Sequence, residues 1–150
     1  MIIRALPEES PRKLNILLAE DNAVNSVLAQ KLLQKQGHTV TSANNGIEAL
    51  KLWEENRFHH FDIILMDVQM PEMDGPTATG VIRAREHAEG RARTPIVALT
   101  ANAMAHQVAE YLQAGMDDFV AKPIEAGRLY AVIQDALDKA QLSQASTAAA

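Results

Sequence analysis

Five short segments rich in apolar or β-branched residues punctuate the chain: LNILLA (14–19), HTVTSA (38–43), FDIILM (61–66), TPIVALT (94–100) and DDFVA (117–121). LNILLA is a continuous apolar run bounded by charge, the pattern of a buried strand, whereas HTVTSA alternates and is β-branched. Between the strands, apolar residues recur at helical spacing. Asn22 is placed to cap a helix carrying Val24, Val27, Leu28 and Leu32, and Gly37 ends it. NGIEALKLWEEN follows with Ile47, Leu50 and Trp53 expected inward. A third helix is expected from about Pro76 to His87, with Pro76 suited to its first turn. NAMAHQVAEYLQAG groups Met104, Val108 and Leu112 on one side, with Gly115 as its stop, and EAGRLYAVIQDALDKA turns Leu129, Val132, Ile133 and Leu137 inward.

Strand and helix thus alternate five times, which predicts an α/β fold with a doubly wound parallel sheet. In such sheets ligands bind beyond the carboxyl ends of the strands. The domain is read as residues 14–140. Residues 1–13 mix charge with Pro7 and Pro11 as a leader, and 141–150, QLSQASTAAA, is small and polar, a flexible tail. RAREHAEGRAR (83–93) is expected to be a solvated helix end and loop.

Composition narrows the function classes. Hydrophobic residues make up 47% and charged residues 22%, as in a globular domain. The absence of cysteine excludes disulfides, zinc–cysteine sites and thiol catalysis. A net charge of −5 argues against direct nucleic-acid binding. No apolar run approaches the roughly 18 residues of a membrane span, so no membrane contact is expected and a cytoplasmic location is the default. None of the five histidines has metal-pair spacing, and surface positions are expected for His38, His59 and His60.

The chemistry gathers at the strand ends. Strand one ends in Glu20 and Asp21, strand three in Asp67, strand four in Thr100, and strand five at Lys122 before Pro123. Singly, each has an ordinary reading as a cap or a surface residue. Jointly, they bring three carboxylates, a hydroxyl and an ammonium to one crevice. Crowded carboxylates repel, and an all-oxygen set favours Mg²⁺ or Mn²⁺ over zinc. Lys122 suits a phosphate oxygen and Thr100 can donate to another. The set predicts phosphoryl transfer to Asp67, fixed on a rigid strand and opened to a partner by the loop DVQMPEMDG (67–75).

These motifs resemble the receiver domains of two-component response regulators. LLAEDN is similar to the acidic-pair motif, ILMDVQMPEMDG to the phosphoacceptor loop, PIVALTA to the switch strand and AKPI to the lysine–proline turn. ILLAEDNAVN and VALTANAM look most like the receivers of hybrid sensor histidine kinases. The resemblance covers about residues 13–140. It implies a flavodoxin-like sheet of order 2-1-3-4-5 with five helices. It also implies Asp67 as phosphoacceptor, a metal held by Glu20, Asp21, Asp67 and the backbone carbonyl of Gln69, and Thr100 and Lys122 on the phosphoryl group. Phe119 would hold the aromatic switch position, without the hydroxyl of a tyrosine, and the Lys122–Pro123 bond would be cis. The partner would be a histidine kinase or histidine phosphotransfer protein, and the surface switched would involve the fourth helix, fifth strand and fifth helix.

Other classes fit less well. A flavodoxin-like cofactor carrier needs a phosphate loop where this chain has AEDN. A dehalogenase-type phosphatase carries a second Asp where Gln69 stands. An interaction module with the receiver fold that is never phosphorylated remains the alternative. Excision from a longer hybrid kinase is expected over a stand-alone protein.

Overall fold

The computed structural model describes residues 13–56 and 60–149; the leader expected at 1–13 lies, Lys13 apart, outside the described residues. The elements in chain order are β1 (Asn15–Ala19), α1 (Ala23–Lys35), β2 (Thr39–Ala43), α2 (Gly46–Glu55), β3 (Ile63–Asp67), α3 (Gly75–Glu89), β4 (Ile96–Thr100), α4 (Ala105–Gln113), β5 (Asp118–Ala121) and α5 (Ala126–Ala149). The five strands are parallel in the order β2-β1-β3-β4-β5. Chain order reverses between β1 and β3, so the crevice of the sheet lies beyond those two strands and β4.

The sheet is hydrophobic on both faces because helices cover both. Successive side chains alternate: Leu17, Ala19, Ile64, Met66, Ile96 and Ala98 enter one core, against Trp53 of α2 and Ile82 of α3. Ile16, Leu18, Ile63, Leu65, Val97 and Leu99 enter the other, against Leu33 of α1 and Leu129 and Ile133 of α5. Central β3 and β4 are buried throughout, while edge strands β2 and β5 are only partly buried, which is why HTVTSA alternates. Tyr130 of α5 donates its hydroxyl to Leu32 O of α1 at 2.9 Å and ties the two helices on that face.

Several helix faces differ from their apolar spacing. In α1 the buried residues are Ser26, Ala29 and Leu33, and Val24, Val27 and Leu28 face outward. Small residues let the helix approach the sheet, so its apolar stripe stays in solvent. Ile47 of α2 is exposed, although Leu50 and Trp53 are buried as expected. In α4 Met104 and Leu112 are exposed and the buried residue is Tyr111. Helix α5 runs past residue 140 through most of the expected tail; Ala, Gln and Leu are good helix formers and need no apolar face to continue a turn.

The arginine run is a largely exposed helix end and loop, as expected, but Arg83, Glu86 and Arg91 within it turn to the protein. Arg83 donates to Gly115 O (2.9 Å), Thr94 O (2.8 Å) and Asp117 Oδ2 (2.8 Å), and pairs with the buried Glu86 at 2.9 Å. The guanidinium of Arg91 sits 3.7 Å from the Trp53 ring centroid. These contacts lock the amino-terminal edge of β4 and β5, away from the crevice. Among the described residues no helix is long and apolar enough to cross a membrane.

Of the three histidines expected at the surface, His60 is exposed, His59 lies outside the described residues and His38 is half-buried. Its Nδ1 accepts the Leu14 N–H at 3.0 Å. Burial lowers its pKa below the ordinary value of 6.5, against a smaller opposing pull from Asp62. The folded state therefore binds its proton less readily than the unfolded chain. The stability it contributes is full above the unfolded pKa and is lost as pH falls through the depressed one. Melting temperature should drop more between about pH 7 and about pH 5 in the natural sequence than in His38→Gln; equal drops would remove His38 from the acid response.

Candidate functional site

Each site residue is delivered by a strand end. The last residue of β3 is Asp67 and of β4 is Thr100, while Glu20 and Lys122 directly follow β1 and β5. Neighbouring register aligns these ends, with Ala19 beside Met66, Asp67 beside Leu99 and Thr100 beside Ala121. They line a crevice of about 660 Å³ with Asp21, Asn25, Gln69, Asn102, Gln107 and Tyr111.

Carboxylate oxygens of Glu20, Asp21 and Asp67 all lie within 4.8 Å of one another, with Glu20 and Asp67 buried and Asp21 exposed. Lys122 Nζ donates to Asp67 Oδ2 at 2.8 Å and lies 3.0 Å from Glu20 Oε1. The second contact is an ion pair without hydrogen-bond alignment, and Glu20 Oε1 remains buried without a hydrogen-bond donor. Burial first, then Asp67, raises the Glu20 carboxyl above its ordinary pKa; Lys122 and the Asn22 N–H offset this only in part. For Lys122, burial works to lower the pKa, but Asp67 and Glu20 outweigh it and hold the ammonium above the usual lysine value. Three crowded acids, one with an orphaned oxygen, face a single ammonium. That donor set fits a hard divalent cation.

The loop after Asp67 is shaped by close approach. Gly75 N–H donates to Val68 O at 2.9 Å, and a Cβ at Gly75 would lie 2.3 Å from the Asp67 carbonyl oxygen. Only glycine lets α3 begin so close to the acid. Asp74 caps that helix through Thr77 N–H at 2.8 Å. Gly46 N–H holds Met73 O at 3.0 Å, so α2 pins the far side of the loop. Gln69 N–H reaches Asp67 Oδ1 at 3.3 Å.

Thr100 is buried, and its hydroxyl is engaged by Asn102 and by the Tyr111 hydroxyl at 2.9 Å. Sequence spacing did not single out Tyr111; an aromatic one turn from Val108 reads as core. Phe119 is half-buried against the core, with the Arg128 guanidinium 5.9 Å from its ring centroid. The Lys122–Pro123 peptide is cis.

Residues 16–134 match the response regulator receiver domain family. The chain belongs to that family. This receiver is 42% identical over 127 residues to the sensor protein GacS of Pseudomonas syringae, spanning 85% of the chain and 14% of GacS. It is 43% identical over 126 residues to hybrid signal transduction histidine kinase I of Dictyostelium discoideum, spanning 83% of the chain and 7% of that kinase. Among solved structures, the receiver domain of a Pseudomonas aeruginosa sensor histidine kinase, with magnesium in its active-site cleft, is 40% identical with a TM-score of 0.73, covering 85% of this chain and 99% of that one. The Saccharomyces cerevisiae Ssk1 receiver, solved in complex with the phosphotransfer protein Ypd1, aligns with a TM-score of 0.76 at 32% identity, over 81% and 86% of the two chains. The chain thus spans less than a fifth of the length of the two curated relatives, GacS and the Dictyostelium kinase.

At the Glu20 carboxyl of this receiver, burial and then Asp67 outweigh Lys122. Asp67→Asn should raise the melting temperature in EDTA by about 3 °C, what about 1 kcal/mol is worth in a domain of this size. A fall would mean that the Asp67–Lys122 pair outweighs the repulsion.

Proposed function

We propose that Asp67 is the phosphoacceptor, that it takes the phosphoryl group from a phosphohistidine, and that the gain of charge switches the surface formed by α4, β5 and α5. The observation that supports this most is Lys122 Nζ, 2.8 Å from Asp67 and 3.0 Å from Glu20 at the carboxyl edge of the sheet. A carboxylate oxygen of Asp67 attacks phosphorus as the P–N bond breaks, and the donor ring, protonated on its other nitrogen, leaves as neutral imidazole. β3 holds Asp67 still, and Gly75 keeps the approach clear. Lys122, kept protonated by the acids beside it, lies where a phosphoryl oxygen would need a cation. A Mg²⁺ or Mn²⁺ ion held by Glu20, Asp21, Asp67 and the Gln69 carbonyl would supply the remaining positive charge. Thr100 donates its hydroxyl proton to a phosphoryl oxygen once its present partners release it.

The donor is read as a histidine kinase or a histidine phosphotransfer protein. It docks on the exposed apolar face of α1, where Val24, Val27 and Leu28 are 75%, 50% and 52% exposed. That face adjoins a hollow between Leu28, Lys122, Pro123 and Ile124 at the mouth of the crevice. The yeast receiver solved with its phosphotransfer protein supports this class of partner. We place the receiver in the cytoplasm, where a phosphohistidine is made from ATP, as one part of a longer hybrid kinase.

Acetyl phosphate should label the protein only with a divalent cation, and Asp21→Ala should abolish labelling while the fold melts normally. Retained labelling in Asp21→Ala would sink the metal assignment, and an unlabelled natural sequence would favour a pure interaction module. Leu28→Asp should cut kcat/KM for transfer from a phosphotransfer protein by about ten-fold, with acetyl phosphate labelling unchanged. Equal losses from both donors would place the effect in the crevice rather than in docking.

A further inference from the structure

Tyr111 is the one buried residue among the described residues of α4, and the phenol that carries its polarity meets Thr100 and not solvent. Asn102 N–H donates to Thr100 Oγ1 at 2.9 Å. Thr100 Oγ1 in turn lies 2.9 Å from Asn102 O and 2.9 Å from Tyr111 Oη, and Tyr111 Oη lies 3.0 Å from Asn102 O. Two hydroxyls and one carbonyl form a closed triangle. Each hydroxyl carries one proton. If Tyr111 donates to Asn102 O, Thr100 donates to Tyr111 or to the second lone pair of Asn102 O; if Tyr111 donates to Thr100, Thr100 donates to Asn102 O. Either way the Thr100 proton is engaged inside the triangle.

The rest of α4 is exposed or half-buried. Its N-cap, Met104, makes no side-chain cap, and Met104 and Leu112 are exposed. The helix therefore depends on Tyr111 for its seat against the sheet. Phe119 on β5 has no hydroxyl to answer Thr100.

We propose that Tyr111 is a positioning residue that latches Thr100 to α4, so that drawing the Thr100 hydroxyl toward a phosphoryl group on Asp67 releases α4. The proposal rests on the receiver reading of Asp67. When Thr100 turns its proton to a phosphoryl oxygen, the triangle opens and Tyr111 keeps only Asn102 O. The helix then loses half of the polar anchoring at its buried side chain. The local change in charge is thereby read out as a shift of one helix between two seatings. The same contacts hold the domain off: a Thr100 proton engaged inside the triangle is unavailable to a phosphoryl group until its bond there is broken.

The test is Tyr111→Phe, which keeps the ring in the core and removes only the hydroxyl. Beryllofluoride with Mg²⁺ serves as the phosphoryl probe, and amide hydrogen exchange across residues 104–113 reports on α4. In the natural sequence, exchange in α4 should rise on adding beryllofluoride. Tyr111→Phe should exchange at nearly that raised level without it and should bind beryllofluoride about five-fold tighter, the scale of one hydrogen bond. Thr100→Ala should erase the difference between Tyr and Phe at position 111, which a merely structural tyrosine would not do. Unchanged affinity and exchange in Tyr111→Phe would overturn the latch. So would a Tyr111→Phe effect that persists undiminished beside Thr100→Ala. A natural sequence that does not bind beryllofluoride at all would overturn the receiver reading itself, and the latch with it, a separate outcome from either of the others.

Discussion

Two carboxylates, Glu20 and Asp67, are buried side by side at the carboxyl edge of the sheet, and the Lys122 ammonium bridges them. Neither acid would be stable there as an isolated charge. Burying one positive group between them makes the site possible, yet a single ammonium then faces three carboxylates, Asp21 among them. The crevice is thus deficient in positive charge by construction. A cation and an electrophilic phosphorus are the chemical partners that such a deficit admits.

Everything rigid in the fold serves that edge. β3 and β4 are buried along their whole length, and the Arg83 network with Glu86, Thr94, Gly115 and Asp117 locks the opposite end of β4 and β5. With the strands fixed, the side chains at their carboxyl ends stand at set separations. The loop after Asp67 is held at both ends by backbone contacts that only glycine permits, at Gly46 and Gly75. In the latch proposed above the moving part is α4, whose buried Tyr111 meets Thr100. On that proposal, rigid strands on one side and a polar anchor on the other would convert a small charge change into a discrete motion.

The strands and the strand-end residues were legible in the sequence because both depend on local pattern. A run buried on two faces is apolar without interruption, and a polar residue that ends such a run must sit at the sheet edge. Helix faces were less legible. Val24, Val27 and Leu28 share a side of α1, but spacing fixes only that they are neighbours; Ser26, Ala29 and Leu33 make the inward face because small side chains permit close packing. Arg83 and Arg91 read as solvated charge because their partners, Asp117 and the Trp53 ring, lie far away along the chain. Tyr111 was hidden for the same reason: its hydroxyl meets a residue on another element, and no periodicity encodes that meeting.

Reductive trapping tests the central claim most directly. A phosphohistidine donor is reacted with the protein in Mg²⁺, the acyl phosphate is reduced with borohydride, and the peptides are mapped by mass spectrometry. An acyl phosphate becomes an alcohol at the carbon that carried it, so the modified position marks the acceptor. The account predicts reduction at Asp67 alone, in the peptide that contains DVQMPEMDG. Reduction at Glu20 or Asp21, or a phosphoryl group retained on any other residue, would contradict it.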